Sequence, residues 1–205
     1  MSEVARIRQG GGKPAAAVPT RRDAGKAIPT ERVAGARDCT SSATMPPANA
    51  DAALVRGWCL MELNRPAEAA VAFEAALATQ NDRQRSEAAW GQALAYLRSG
   101  LTDEAALAAA KAPQPRGRAI ELEAAILSQR ATSFFEARRY AEALLALDQR
   151  SRIAAERRDL MALRGYAYLN LQRLGDARQV FQALADAGDR EGPRGLAAIE
   201  DIRRR

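Results

Sequence analysis

The stretch LRGYAYLNLQRLGDARQVF, residues 163–181, contains a spacing that occurs three more times earlier in the chain. A small residue is followed three positions later by a large one, and eleven positions later by an acidic residue and then alanine. The acid-alanine pairs are Glu68-Ala69, Glu104-Ala105, Glu142-Ala143 and Asp176-Ala177, separated by 36, 38 and 34 residues. Self-similarity of this period is typical of helical repeat arrays, in which each unit buries its apolar face by stacking on its neighbours.

Each copy of the pattern predicts two amphipathic helices joined by a turn. The small residue and the large residue lie one helical turn apart and therefore share a helix face. The small residues are Gly57, Ala93, Ala131 and Gly165, and the large residues are Leu60, Tyr96, Phe134 and Tyr168. A second apolar stripe starts at the acid-alanine pair and continues to Phe73, Ala109, Leu147 and Phe181. The chain is therefore predicted to be all-α, with about four helix-turn-helix hairpins.

The small residues and the acidic residues have different expected roles. Glycine or alanine at a helix crossing lets two backbones approach closely. A carboxylate in the first turn of the second helix interacts favourably with unsatisfied amide groups, by about 0.3–1 kcal/mol. Because each hairpin carries one such acid, the four do not form the pair that acid-base catalysis requires.

The small-x-x-aromatic pattern from Gly165 to Tyr168 and the Ala-x-x-x-Phe pattern from Ala177 to Phe181 closely resemble a tetratricopeptide repeat. The resemblance covers about residues 50–187, in units at about 50–83, 86–115, 119–156 and 157–187. It implies a right-handed superhelical stack of hairpins that binds other proteins or peptides. One column departs from the family, since polar residues stand where an aliphatic is usual. They are Arg56, Gln92, Arg130 and Arg164, and we expect the arginine stems to cover the interhelical groove with each guanidinium at its edge.

The two flanks of the repeats have different compositions. Residues 1–49 contain no aromatic residue and no leucine, and we expect them to be a disordered tail rich in Ala, Pro, Gly and Arg. Residues 188–205 predict a capping helix over the last hairpin. Two cysteines do not make a disulfide framework, so we expect Cys59 to be a small core side chain and Cys39 an incidental thiol in the tail.

Composition disfavours catalysis. The chain has no histidine, which excludes Cys-His and Ser-His nucleophiles and zinc sites built on imidazole. The segment Gly10-Gly11-Gly12-Lys13 lacks the spacing and context of a phosphate-binding loop. We therefore expect no enzymatic activity, no catalytic residue, no cofactor and no bound metal.

The phase of the pattern predicts a partner-binding groove. Residues that follow the small and large columns, together with their neighbours on the same helix face, should line the concave side formed by the first helices. These candidate residues are Trp58, Met61, Trp90, Leu94, Leu97, Arg98, Phe135, Tyr166 and Asn170. Such an apolar and aromatic face suits an extended or helical peptide. In the alternative, Trp58 and Trp90 pack on each other or on a terminal segment.

The favoured function is a non-enzymatic scaffold that binds a protein or peptide. The Arg-Gly/Ala step and the ending from Gly188-Asp189 to Gly195-Leu196-Ala197-Ala198 resemble repeat modules of bacterial exopolysaccharide or cellulose export. A nucleic-acid tether is a further alternative, because eight of the basic residues and only four acidic residues lie in the tail; no aromatic is available there to stack on bases. A third is an enzyme subunit whose catalytic partner lies on another chain.

The location of the protein is predicted from missing signals. Residues 1–8 are not followed by an apolar core of a signal peptide, and no run of 18 apolar residues occurs. We expect no membrane insertion and a cytoplasmic location, or a periplasmic one if the chain is an excerpt of an exported protein. The pattern does not predict an oligomeric state.

Overall fold

The computed structural model describes residues 39–204, and these residues form helices, turns and loops without a strand. This confirms the all-α prediction. The helices are α1 (Cys39–Thr44), α2 (Ala50–Glu62), α3 (Pro66–Ala76), α4 (Asp82–Arg98), α5 (Thr102–Ala109), α6 (Arg116–Glu136), α7 (Tyr140–Ser151), α8 (Arg158–Asn170), α9 (Leu174–Asp186) and α10 (Glu191–Arg204). The expected disorder of the tail lies outside the described residues for positions 1–38, and it is wrong for the residues of α1.

The described chain forms two compact units, whose boundary falls between Ile126 and Leu127 inside α6. The N-terminal unit contains α1, the hairpin α2/α3, the hairpin α4/α5 and the first half of α6. The C-terminal unit contains the rest of α6, helix α7, the hairpin α8/α9 and α10. Each unit has its own core clusters of buried apolar side chains.

The four hairpin turns share one backbone geometry. A residue with positive φ lies two residues beyond the end of each first helix, and the next residue donates its N–H to the carbonyl of the large column at 2.8–2.9 Å. The positive-φ residues are Asn64 (57°), Gly100 (78°), Arg138 (60°) and Gln172 (58°). This is the Schellman arrangement, which satisfies carbonyls at the end of a helix. Because Gly100 alone of the four lacks a Cβ, the other three turns hold a strained residue.

Relief of this strain is a testable consequence. Gln172→Gly should raise the free energy of unfolding by roughly 1 kcal/mol, since glycine adopts positive φ without the Cβ clash. The urea unfolding midpoint measures the change. Gln179→Gly, at an exposed position inside α9, should instead lower stability by about 1 kcal/mol. Equal effects of the two substitutions would contradict the assigned turn.

A phenylalanine of the second helix joins three helices in each unit. A Cβ placed on Gly57 or on Gly91 would lie 2.5 Å from the ring of Phe73. In the C-terminal unit a Cβ on Gly165 would lie 2.7 Å from the ring of Phe181, and one on Gly195 would lie 2.2 Å from it. Each ring therefore fits between a glycine of its own hairpin and a glycine of the helix that follows.

The remaining hairpins keep the same columns with other sizes. Alanine replaces the small glycine in the hairpins of α4 and α6, and Ala109 or Leu147 replaces the phenylalanine of the second helix. The alanines of the acid-alanine pairs have no exposed surface: Ala69, Ala105, Ala143 and Ala177. The acids pair with the N-cap arginine three residues earlier in three hairpins, as Arg65–Glu68, Arg139–Glu142 and Arg173–Asp176.

Glycine substitutions test the close packing of each phenylalanine ring between two glycines. Gly165→Ala should lower the free energy of unfolding by about 1–3 kcal/mol, because the added methyl overpacks Phe181. The matched control is Gly175→Ala in α9, where a Cβ meets nothing within 4 Å; there the better helix propensity of alanine should leave stability unchanged or slightly higher. Thermal unfolding compares the two, and a neutral Gly165→Ala would mean that the ring lies elsewhere.

The last helix, α10, packs on α9 and α8 and covers the end of the C-terminal unit. Ile199 is fully buried in the cluster that contains Phe181 and Leu184. Gly195 contacts Phe181 as Gly91 contacts Phe73. The helix therefore takes the place that the first helix of a further hairpin would occupy.

The polar column before the small residues forms contacts between hairpins. Gln92 is buried and donates to the backbone oxygen of Ala70 at 3.2 Å and to the carboxylate of Glu74 at 2.6 Å. In the C-terminal unit the buried Arg164 forms ion pairs with Asp148 and, at 2.9 Å, with Glu156. The expected position of this guanidinium at the groove edge is therefore wrong, because two carboxylates bind it inside the structure.

Candidate partner-binding surface

A stripe of half-buried apolar side chains runs along α4 in the N-terminal unit. Trp90, Leu94 and Leu97 form this α4 stripe, with the i, i+4, i+7 spacing of one helix face. Trp90 and Leu94 pack against the core cluster of the first hairpin and also against that of the second. Leu54, on α2, is half-buried and packs on the first of these clusters. The stripe is thus anchored in the core and partly exposed to solvent.

A ladder of rings supports the stripe. The centroids of Phe73 and Trp58 lie 5.0 Å apart at an interplanar angle of 69°, and those of Trp58 and Trp90 lie 5.3 Å apart. The guanidinium of Arg118 lies 4.2 Å from the centroid of Trp90. Arg118 also forms a 2.7 Å salt bridge with Glu87. Edge contacts between rings and a cation over an indole are both favourable, so Trp90 is held in a defined orientation.

Two residues predicted for the groove lie in the core. Trp58 is 9% exposed and Met61 is 1% exposed. For Trp58 the alternative of packing against Trp90 is therefore correct, because its ring lies between Phe73 and Trp90. The backbone oxygen of Met61 accepts a 2.7 Å hydrogen bond from Arg98, which places that guanidinium at the C-terminal end of α2, where a cation is favourable.

The burial of Trp58 gives a stability prediction. Trp58→Ala should lower the free energy of unfolding by about 3–5 kcal/mol, since it leaves a cavity and removes the support of Trp90. Thermal or urea unfolding followed by circular dichroism measures this loss. Trp90→Ala is the comparison, and it should cost less because that ring is half-exposed. If the Trp58→Ala protein were as stable as the wild type, the side chain of Trp58 would have to lie at the surface and not in the core.

The residues of the C-terminal unit that were predicted to line the groove form contacts within the protein. Phe135 is half-buried, with its ring 5.3 Å from that of Tyr140. Tyr166 meets Phe181 at 5.0 Å, and its hydroxyl donates to Glu191 at 2.8 Å. Burial, and then this hydrogen bond, raises the pKa of Tyr166. The exposed Asn170 donates to the backbone oxygen of Tyr166 at 2.8 Å. Tyr166 therefore helps to dock the start of α10.

Arg150 and Arg118 are structural residues that the sequence pattern did not single out. Arg150 is fully buried, at a repeat position where the other hairpins have Ala76, Ala112 and Leu184. It donates to the hydroxyl of Ser128 and to the backbone oxygen of Ala155, both at 2.8 Å. Burial lowers the pKa of this guanidinium. The sequence offered one signal for Arg150, a charged residue at a repeat position that is otherwise apolar. It offered none for Arg118, which belongs to no repeat column.

The two cysteines form a disulfide that joins α1 to α2. Cys39 and Cys59 lie 20 residues apart in sequence, with their Cα atoms 4.9 Å apart. The expectation of a free, incidental thiol at Cys39 is wrong, because α1 folds against α2 and brings that side chain to Cys59. Cys59 itself is in the core, as predicted.

Successive hairpins with one turn geometry and one column pattern define an α-helical repeat protein. The family model of the tetratricopeptide repeat matches residues 31–84, 60–119 and 128–192, which together make up more than half of the chain. The chain therefore belongs to the tetratricopeptide repeat family. It matches no curated protein and no solved structure.

Membership in this family defines a general role. Tetratricopeptide repeats are, in general, scaffolds for protein-protein interaction. Between residues 39 and 204, no helix has both the length and the apolar character needed to cross a bilayer.

Proposed function

We propose that the chain is a non-enzymatic scaffold that binds a segment of another protein along the α4 stripe and the adjacent Leu54. The observation that carries this proposal is the combination of half-buried apolar side chains with a rigid support. The ladder from Phe73 to Arg118 holds Trp90 in place before a partner arrives. Binding then loses little side-chain entropy and buries the remaining apolar surface.

The chemistry of the partner follows from the charges beside the stripe. Arg98 already donates to Met61, and Arg118 already pairs with Glu87. A partner carboxylate could use only the N–H groups that these contacts leave on each guanidinium, and at Arg118 it would also be repelled by the carboxylate of Glu87. An apolar or aromatic side chain that packs on Leu94 or Leu97 needs no charged partner. We therefore propose a peptide segment with apolar anchors, extended or helical, as the ligand.

A peptide selection with matched variants tests the proposal. Peptides enriched from a random displayed library on the full-length protein would be titrated while tryptophan fluorescence is recorded, since Trp90 lies at the surface. Leu97→Asp should weaken their binding about tenfold or more, by roughly 1.4 kcal/mol, because it places a charge in the apolar contact. Leu107→Asp, at a position on α5 that is 70% exposed, should leave the affinity unchanged.

Two controls make this result interpretable. Circular dichroism and the unfolding midpoint must show that both variants remain folded. Equal affinities for Leu97→Asp and the wild type, or no enriched peptide at all, would refute binding at the α4 stripe.

The narrower alternatives have no comparable support. Two glycines in the ending that resembles export modules have packing roles: a Cβ on Gly195 would meet Phe181, and one on Gly192 would lie 2.2 Å from the backbone nitrogen of Ala185. The third, Gly188, has a positive φ of 73° in the turn after α9. Docking of α10 and the turn before it account for these residues without reference to a pathway. The nucleic-acid alternative concerns the tail of residues 1–49, whose charged residues all lie within residues 1–38 and so outside the described residues.

A further inference from the structure

Helix α1 and its disulfide form a device that the repeat pattern does not require. We propose that the Cys39–Cys59 disulfide is a redox-operated latch. In the oxidised protein it holds α1 on α2, and its reduction releases α1 and exposes Cys59, which completes an apolar stripe on α2. This inference does not rest on the proposed binding at the α4 stripe.

The position of α1 depends on the disulfide. A helix of six residues is far too short to be stable alone, and Ala43 is its buried side chain. Just beyond the helix, at the surface, the guanidinium of Arg56 donates to the backbone oxygen of Met45 at 3.0 Å. The disulfide restricts the open form of this segment by closing a loop of 20 residues.

The position of α2 does not depend on α1. Its N-terminal end has its own cap, because the side chain of Asn49 accepts a 2.9 Å hydrogen bond from the N–H of Ala52. Its other side packs on α3 and α4, with Leu60 and Phe73 fully buried in the shared cluster. Release of α1 is therefore a local opening that leaves both hairpins of the N-terminal unit folded.

Release would complete an apolar stripe on α2. Val55, Cys59 and Leu63 follow each other at intervals of four residues and so share one helix face. Val55 is 38% exposed and Leu63 is 42% exposed, whereas Cys59 between them is fully buried. In the reduced protein the Cys59 thiol would join its two neighbours at the surface.

Reduction by thiol-disulfide exchange begins at the more exposed of the two sulfurs. Cys39 is partly exposed and Cys59 is fully buried, so the thiolate of a dithiol reductant attacks the sulfur of Cys39. The disulfide bond breaks and the Cys59 sulfur leaves as a thiolate that takes up a proton. The second thiol of the reductant then displaces Cys39 from the mixed disulfide. Two electrons pass to the protein, which gains two thiols, and the dithiol becomes a cyclic disulfide.

Glu62 adjusts the rate of this exchange. Its carboxylate oxygen lies 3.3 Å from the sulfur of Cys39, and its negative charge repels an approaching thiolate. Glu62→Gln should therefore speed reduction by dithiothreitol at low ionic strength without changing the released state.

Hydrogen exchange of the full-length protein tests the latch. The oxidised protein and the protein treated with dithiothreitol would be compared by mass spectrometry, with maleimide labelling of Cys59 in parallel. Reduction should lower the protection of residues 39–45 about tenfold or more, make Cys59 reactive, and leave the protection of α3 and α4 unchanged. Removal of the reductant and reoxidation should restore the first state.

A variant distinguishes a disulfide that controls only the docking of α1 from one that stabilises the whole N-terminal unit. Cys39→Ser should show the exchange pattern of the reduced protein in the absence of reductant, and should not respond to dithiothreitol. Unchanged protection of α1 after reduction, or a Cys59 that stays unlabelled, would overturn the proposal because α1 would still be docked. Loss of protection throughout α2, α3 and α4 would also overturn it, since the disulfide would then support the whole unit.

Discussion

The fit of a phenylalanine ring between two glycines is the contact on which the other features of each unit depend. The ring of Phe73 or Phe181 reaches across its own hairpin and into the next helix, and a single methyl on either side would collide with it. The same ring also receives the edge of an aromatic neighbour, Trp58 in one unit and Tyr166 in the other. Close backbone approach, burial of the ring and orientation of the surface aromatics thus have one cause.

In the N-terminal unit this contact continues to the proposed binding surface. Phe73 supports Trp58, Trp58 supports Trp90, and Arg118 covers the outer face of Trp90. Several arginines of this basic chain have structural partners of the same kind, including Arg98 at the end of α2 and Arg164 between two carboxylates. Their charges stabilise helix ends and hairpin contacts, whereas the proposed binding surface on α4 consists of apolar side chains.

The repeat spacing was enough to predict the all-α fold, the hairpins and the family, because each column repeats a local physical requirement. It did not predict the burial of Trp58, since the phase of a helix shows which way a side chain points but not whether a neighbouring ring covers it. Arg118 was missed because it precedes the repeated part of α6. The disulfide was missed for a related reason: six residues with the composition of α1 give no helix signal, and their position follows from a contact 20 residues away.

The glycine-phenylalanine-glycine fit also determines what can be exchanged between repeat proteins of this type. Phe73 is enclosed by Gly57 from its own hairpin and by Gly91 from the next one, so a larger residue at either glycine position fits well only with a smaller residue at position 73. A module cut at the turns would separate the ring from one of its glycines. A segment that runs from one glycine to the next keeps the ring with both glycines. To exchange such a segment, two chains have to be joined inside a first helix and not in a loop.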